Sequence, residues 1–404
     1  MNHHSARSQL VEDDLLSIFV IFLKLGCTSF GGPIAHLGYL RTAFVERRKW
    51  VDDQAYADIV ALCQFLPGPA SSQVGIALGL SRRGLLGGIA AWLGFTLPSA
   101  IIMIACAYGV RLLDGPGEPG WLHGLKIAAV AVVAQAVWNM GRQLCPDLVR
   151  RSIAVAAALV LLIWPGGVGQ IGVIVASAVI GWCLLPVDAT PRAPETLSLS
   201  RRRAWITWVL FIGLLMTLPI VARSSSSYAL ALFDSFYRSG ALVFGGGHVV
   251  LPLLHEAVVP RGWISESDFL AGYGMAQALP GPLFSFAAYL GAASHEFPNG
   301  WIGGIIALIA IFLPGFLLVV GALPYWDEWR KRTAIRAAMN GVNAAVVGIL
   351  LAALYDPIFV SAVHTRSDFA LALLATAMLV LLRASPLWIV GGTALAGVLL
   401  GLPR

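Results

Sequence analysis

Charged residues are scarce in this sequence. Only 12% of its 404 residues are Asp, Glu, Lys or Arg, whereas 58% are hydrophobic and the mean hydropathy is +0.79. A soluble domain carries about 25% charged residues, so this chain cannot cover a water-facing surface. Apolar windows long enough to cross a bilayer recur between residues 15 and 402. The composition therefore predicts an all-α polytopic membrane protein.

Carboxylates, paired cysteines and hydrolase motifs are missing as well. Asp and Glu are nearly absent from the apolar stretches, so a carboxylate relay for protons is not expected. The five cysteines lack CxxC spacing, which argues against a zinc site and a disulfide framework. The chain contains no HExxH, no GxSxG with a spaced His and Asp, and no carboxylate cluster. We therefore expect a protein that is not an enzyme, without catalytic residues, metal or cofactor.

The basic residues lie mostly in short loops between apolar segments and give a net charge of +6. This distribution is typical of topology determinants in a membrane protein, not of a nucleic-acid-binding face. Polar residues 1–14 are predicted to be a retained N-terminal cytoplasmic segment. Residues 187–203 form the longest polar interruption, which predicts a cytoplasmic linker between two membrane halves, 15–186 and 204–404.

The sequence repeats itself, and the repeat organises the chain. Two motifs occur in the same order in each half. Phe30-Gly31-Gly32 recurs as Phe244-Gly245-Gly246, and Gln64 with Pro67-Gly68-Pro69 recurs as Gln277 with Pro280-Gly281-Pro282. Chance does not preserve such an order, so we predict two homologous halves.

Basic residues indicate that the two halves cross the membrane in opposite senses. Arg41, Arg82 and Arg83 are among several basic residues that flank the first Pro-Gly-Pro, whereas the matching loops of the second half carry only Arg261. Because loops rich in Lys and Arg face the cytoplasm, the matching loops are expected on opposite faces. The pattern predicts an inverted-topology repeat with broken helices at the Pro-Gly-Pro motifs.

Each Pro-Gly-Pro motif is expected to break a helix inside the membrane, because proline lacks an N–H group and clashes with the preceding turn. Broken backbone at this depth is tolerated where it lines a cavity. The half-helix after each break directs unpaired N–H groups and its positive dipole end toward that cavity. An anion is the natural ligand of such a site. The alternative for these motifs is tight helix packing alone.

The candidate site residues are those that could bind an anion at or near these breaks. The glycine pairs and the two breaks contribute backbone amides, Ser71 and the two glutamines contribute neutral donors, and Lys126 contributes a charge inside an apolar run. The predicted substrate-binding set is Phe30, Gly31, Gly32, Gln64, Pro67, Gly68, Pro69, Ser71, Lys126, Phe244, Gly245, Gly246, Gln277, Pro280, Gly281 and Pro282.

Four further residues are assigned other roles. His248 directly follows the second glycine run and is a candidate for proton coupling, with a hydrogen-bonded structural histidine as the alternative. Lys24, Arg41 and Arg82 are candidates for the entrance. The alternatives are that Lys24 snorkels to the interface and that the arginines only set the topology.

The paired Phe-Gly-Gly and Pro-Gly-Pro blocks resemble the chromate ion transporter family in its long, two-domain form, over about residues 17–382. The resemblance implies a bacterial inner-membrane protein that exports chromate and confers resistance, with sulfate as a structural analogue. Its motif positions also include Trp50 and Trp263. The expected partners are a chromate-like or sulfate-like oxyanion and the lipid bilayer. A sulfate or other oxyanion transporter, an anion channel and a homodimer remain open.

Overall fold

A computed structural model describes residues 14–30, 32–112, 120–185, 201–244, 247–329 and 332–399. The predicted N-terminal segment 1–14 and linker 187–203 lie almost wholly outside these ranges. A helix begins at Arg201, so the last three residues of the predicted linker are helical. The boundaries proposed for the two halves stay predictions.

The described part of the first half is helical. Its helices are α1 (Leu15–Thr28), α2 (Gly32–Arg41), α3 (Asp53–Phe65), α4 (Ala70–Leu112), α5 (Gly120–Leu144), α6 (Leu148–Ile163) and α7 (Gly167–Leu184). A π-helical turn, Thr42–Arg47, extends α2. Helix α4 bends at Arg83 and Gly84, where the backbone is not helical, so a short helix after the first break continues into a long one.

The second half follows the same order after one additional helix, α8 (Arg201–Ser224). The remaining helices are α9 (Tyr228–Leu242), α10 (Val250–Val258), α11 (Glu266–Ala278), α12 (Phe286–Ala293), α13 (Gly300–Ala322), α14 (Trp326–Trp329), α15 (Thr333–Ala353), α16 (Val360–Ala362), α17 (Arg366–Val380) and α18 (Pro386–Leu399). Helical turns at 247–249, 283–285, 323–325 and 354–359 complete this half. The motif order makes α9 the counterpart of α1, so α8 precedes the second copy.

Five helices in the described ranges are long and apolar enough to cross a membrane: Ala70–Val110, Gly120–Leu144, Arg201–Ser224, Gly300–Tyr325 and Thr333–Ala362. Large apolar side chains remain exposed on the outer helices, for example Ile163 on α6, Val168 on α7 and Ile220 on α8. Such a surface is stable when it faces lipid tails. The prediction of an all-α polytopic membrane protein is confirmed.

Counterpart helices of the two halves pack antiparallel. The second part of α4 and helix α13 correspond, and the Trp92 and Phe312 rings lie 5.8 Å apart. Farther along α4, Ile104 contacts Gly304 and Tyr108 contacts Gly300. Residue numbers therefore rise along one helix while they fall along the other. Antiparallel packing of counterpart helices is the arrangement expected of an inverted repeat.

The last helices of each half pack against the other half. Helix α5 of the first half lies along α17 and α18, while its counterpart α15 lies along α6 and α7. Small residues allow these close approaches: Gly124 faces the Thr393 carbonyl and Gly341 faces the Ser177 carbonyl. The halves are thus intertwined, and moving one against the other must involve these contacts.

Among the described residues, two carboxylates are buried in the bundle, so the expectation that such groups are nearly absent is wrong in part. Asp234 on α9 is 4% exposed and pairs with Arg238, its Oδ2 lying 2.6 Å from Nη2. Asp368 on α17 is fully buried, and its Oδ1 lies 2.9 Å from His123 Nε2 on α5. Asp368 lies in the first turn of α17, whereas Asp234 lies in the middle of α9.

The His123–Asp368 pair is expected to stabilise the contact between the halves. Asp368 also accepts the backbone N–H groups of His364 and Thr365, at 3.0 and 2.9 Å. We predict that Asp368→Ala lowers the free energy of unfolding by about 3 kcal/mol, because buried donors lose their acceptor. Thermal unfolding of the purified protein in detergent measures the loss.

Glu328→Ala is the matched control for this substitution. Its partner Arg201 lies 2.8 Å away, but both side chains are more than half exposed. Exposed ion pairs contribute at most about 1 kcal/mol, so the unfolding temperature should change little. Equal losses in the two variants would contradict a stabilising role for the buried pair.

Candidate functional site

Both Pro-Gly-Pro motifs interrupt the helices, as predicted. Helix α3 ends at Phe65 and α4 begins at Ala70, while α11 ends at Ala278 and helical turns resume at Leu283. Leu66 and Leu279 are extended because each precedes a proline. The central glycines have φ of +122° and +100°, a region that other residues rarely adopt. Local sterics therefore explain both breaks.

Each break is tied to the opposite half by one backbone hydrogen bond. Gly68 N–H donates to the Val243 carbonyl at 2.7 Å, and Gly281 N–H donates to the Ser29 carbonyl at 2.9 Å. Ser29 and Val243 are counterparts, since each precedes its Phe-Gly-Gly motif. Each break therefore lies at the interface between the halves, and the central glycine amides are already hydrogen-bonded.

The packing around the two breaks differs. A Cβ on Gly68 would lie 3.2 Å from the Gly315 Cα, whereas a Cβ on Gly281 would lie 2.8 Å from the Ser99 hydroxyl. At the first break, Gln73 Nε2 donates to the Pro67 carbonyl at 2.9 Å and to the Gly315 carbonyl at 3.3 Å. The Gln73 side chain thus holds the first break in place.

A cavity of about 670 Å³ lies between the halves and reaches the first break. Such a volume is in the range of small-molecule sites. Its wall comes from α2, α3, the start of α4, the later part of α5, the turn at 247–249 and single positions on α15 and α18. Among the lining residues are Pro33, Gln64, Gly68, Ala70, Gln143 and His248.

The counterpart helices of the two halves that precede the breaks, α3 and α11, have different neighbours. Helix α11 lies along α5 and α18, and Gly274 fits against the Leu125 carbonyl. Its counterpart α3 packs on α2 and α4, and turns Cys63, Gln64 and Leu66 toward the cavity. Opening on one side and close packing on the other is the asymmetry expected of alternating access.

The predicted binding residues are only partly brought together. Gln64, Gly68 and the start of the helix that carries Ser71 meet the cavity. The Gln277 amide nitrogen is buried near the second break and has no hydrogen-bond partner among the described residues. Phe30 is exposed, and Phe244 is part-buried beside Val243. Gly31, Gly245 and Gly246 lie outside the described residues.

Lys126 is 6% exposed in the middle of α5 and is not among the cavity-lining residues, whereas its counterpart Asn343 is. The carbonyl of the adjacent Leu125 lies against Gly274, so the backbone at Lys126 is close to α11. A buried cation of this kind remains a candidate for binding an anion. Its role stays a prediction.

The three entrance candidates differ in their contacts. Lys24 is exposed on α1. Arg41 lies 2.6 Å from both Glu46 and Asp53, and its hydrogen bond to Asp53 raises the pKa of Arg41 above its ordinary value. The Arg82 guanidinium lies 5.3 Å from the centre of the Trp50 ring, a cation–π contact that Arg261 and Trp263 repeat at 4.9 Å.

His248 lines the cavity, and its Nδ1 lies 2.8 Å from the Tyr273 hydroxyl. This contact joins the turn at 247–249 to α11. The hydrogen bond fits the structural alternative given above, and the place in the cavity wall fits proton coupling. The assignment of His248 to coupling stays a prediction.

Sequence reasoning missed His36. This residue on α2 is 1% exposed, with Nε2 3.1 Å from the Ser29 carbonyl and Nδ1 3.4 Å from the Ser71 hydroxyl. Its ring also packs edge-on against Phe95. No repeat motif contains it, so the signal available was a histidine six residues after Phe30 in an apolar helix.

A helical membrane bundle with inverted halves, two facing helix breaks and a cavity between them defines a membrane transporter. This chain belongs to the chromate transporter family, whose model matches residues 16–182 and 230–398. The two matched segments correspond to the two halves and leave α8 outside. The resemblance inferred from the motifs is confirmed.

Curated relatives with similar sequences cover most of the chain. A chromate transport protein of Pseudomonas aeruginosa is 27% identical over 84% of this chain and 80% of its own length. A probable chromate transport protein of Synechococcus elongatus is 31% identical, over 82% and 81%. A chromate transport protein of Cupriavidus metallidurans is 28% identical, over 95% and 92%. No solved structure matches the chain.

Proposed function

We propose that this protein is a secondary transporter that exports chromate across the bacterial inner membrane and thereby confers chromate resistance. The observation that carries the proposal is the cavity between the halves, which reaches the first break, whereas the counterpart helix α11 packs along α5 and α18. A tetrahedral dianion would enter this cavity and bind near the amide groups that begin the broken helix. Rocking of the intertwined halves would then expose it to the other face.

The basic residues around the cavity support its opening to the cytoplasm. Arg142 adjoins the cavity-lining Gln143 near the end of α5, and Arg150 and Arg151 follow at the start of α6. The positive-inside rule assigns such residues to the cytoplasmic face. A cavity that opens there is loaded from the cytoplasm, which is the direction required for export.

Flux into everted membrane vesicles tests this function. These vesicles expose the cytoplasmic face, so we expect radiochromate uptake that saturates with substrate and is absent from vesicles without the protein. Sulfate should compete, because it has the same charge and shape. Separate ionophores that collapse the potential or the pH gradient then identify the driving force.

Three outcomes would contradict the proposal. Uptake no greater than in control vesicles would rule out chromate transport as the function. Flux that rises linearly with concentration would favour an anion channel. Rapid sulfate flux, with chromate acting only as a competitor, would favour a carrier for sulfate or another oxyanion.

A further inference from the structure

The two breaks are chemically unequal although the motifs around them repeat. Alignment of Gly68 with Gly281 sets Ser71 against Phe284 and Gln73 against Phe286. Alignment of Phe30 with Phe244 sets His36 against Val250. The first break is thus followed by polar side chains, and the second by aromatic ones. Hydrogen bonds to an oxyanion require donors, which Val250, Phe284 and Phe286 do not have, so a donor side chain near the second break is the Gln277 amide that precedes it.

Both breaks are followed by a serine at the same position, Ser72 and Ser285, but the surroundings of the two hydroxyl groups differ. Ser285, after the second break, has its Oγ 2.7 Å from the Ser99 Oγ. Its counterpart Ser72 is 2% exposed, and its Oγ has no hydrogen-bond partner among the described residues. The repeat explains the difference, because the position of Ser99 is taken by Gly315 in the other half. A buried hydroxyl without a partner is unfavourable, which points to a ligand.

His36 fixes the hydroxyl that precedes Ser72. A carbonyl only accepts hydrogen bonds, so the contact with the Ser29 carbonyl requires a proton on His36 Nε2. The Nδ1 of the neutral ring then accepts the Ser71 hydroxyl. The same Ser29 carbonyl accepts Gly281 N–H from the second break. His36 therefore connects the start of α4 to the backbone that anchors the opposite half.

Backbone donors are also available at the first break. The Gln73 N–H is bonded to the Pro69 carbonyl at 2.9 Å, so the amides of Ala70, Ser71 and Ser72 precede the first intrahelical bond of α4. The cavity wall includes Gly68 and Ala70, but none of Pro280, Gly281 and Pro282. The cavity thus reaches the first break, although the Gly68 backbone itself is buried and Gly281 is part-buried.

We propose that the oxyanion is recognised at the first break alone, by the Ser72 hydroxyl and the first amides of α4. His36 is a positioning residue that acts through Ser71, and the second break is a structural support. This inference rests on the proposed function, because it identifies the recognition groups within that site. It adds that the two halves do not provide two equivalent binding sites.

Sulfate and chromate binding to the full-length purified protein tests the inference by isothermal titration. We expect one anion per chain. Ser72→Ala removes a hydrogen bond to a charged group and should weaken binding by about 10- to 100-fold. Ser285→Ala removes the counterpart hydroxyl and should change affinity less than about twofold, the effect expected when a mutated group does not contact the ligand. Unfolding temperatures of both variants control for folding.

The role of His36 is tested with one substitution that should weaken oxyanion binding and a conservative one that should restore it. His36→Val copies the counterpart Val250 and should raise KM for transport by about tenfold, the loss expected for one misplaced hydrogen bond. His36→Gln retains a donor for the Ser29 carbonyl and an acceptor for Ser71, and should restore most of the affinity. A purely structural role would instead lower the amount of folded protein and leave the KM of the remainder unchanged.

The outcomes separate this inference from the proposed function. Two equivalent anions per chain, or equal losses in Ser72→Ala and Ser285→Ala, would overturn the inference while oxyanion transport stands. Wild-type affinity of Ser72→Ala would overturn it too. A wild-type protein that binds neither chromate nor sulfate would overturn both.

Discussion

Replacement of Gly68 by leucine is expected to abolish chromate transport while the protein still reaches the membrane. Gly68 has φ +122°, and a Cβ there would lie 2.8 Å from Gln73 Nε2 and 3.2 Å from the Gly315 Cα. A leucine therefore pushes the break away from Gly315 and strains the N–H bond to Val243. Vesicle uptake and the amount of protein in the membrane fraction measure the two effects.

Gly84 offers a matched control for this substitution. It also has a positive φ, +56°, but a Cβ there would meet no atom within 4 Å. Both Gly84→Ala and Gly68→Ala place alanine at a positive φ, which strains the backbone by about 1 kcal/mol or more. Only in Gly68→Ala does the new methyl group contact atoms around the break. Transport should fall far more in Gly68→Ala. Similar activities would mean that the geometry of the first break does not limit transport.

Removal of the charge from Lys126 is expected to reduce transport at least ~100-fold, because a buried cation between the halves lowers the electrostatic cost of moving a dianion through them without contacting it at the first break. Lys126→Met keeps most of the side-chain length and removes the charge, whereas Lys126→Arg keeps the charge. We expect transport to be lost in the first variant and partly retained in the second. Chromate uptake into everted vesicles, scaled to protein in the membrane, measures both.

The pair of variants separates electrostatics from packing. Lys126 is buried among the residues of α5 that pack between the halves, so loss of volume alone could disturb the fold. If packing were the cause, Lys126→Arg would be the more harmful change, since it adds bulk. Uptake by Lys126→Met at the wild-type rate would exclude a role for the Lys126 charge in transport.

Much of the architecture could be predicted because its causes are local. Proline lacks an N–H group and restricts its predecessor, so the ends of α3 and α11 follow from the two Pro-Gly-Pro motifs. The unequal basic loops predicted opposite orientations, which the antiparallel packing of α4 and α13 bears out. The proline effect depends only on neighbouring residues, and the orientation follows from the number of basic residues in each loop.

The contacts of the site could not be predicted from the sequence. His36 lies outside both motifs, and it gains a role because α2 folds its ring against Ser29 and Ser71. Asp368 lies in the first turn of α17, and it gains its partner because α5 brings His123 to it. These two residues are 245 positions apart in the chain. Nothing in their local sequence marks them as a pair.

The sequence by itself determined that the chain is a membrane bundle of two inverted halves with two helix breaks, and it carried the family motifs. Only the tertiary structure decided which break meets the cavity and which glycine amides are already bonded. The reason is the range of the interactions. Steric limits on φ act within one or two residues, whereas a cavity is what remains after helices distant in sequence have packed.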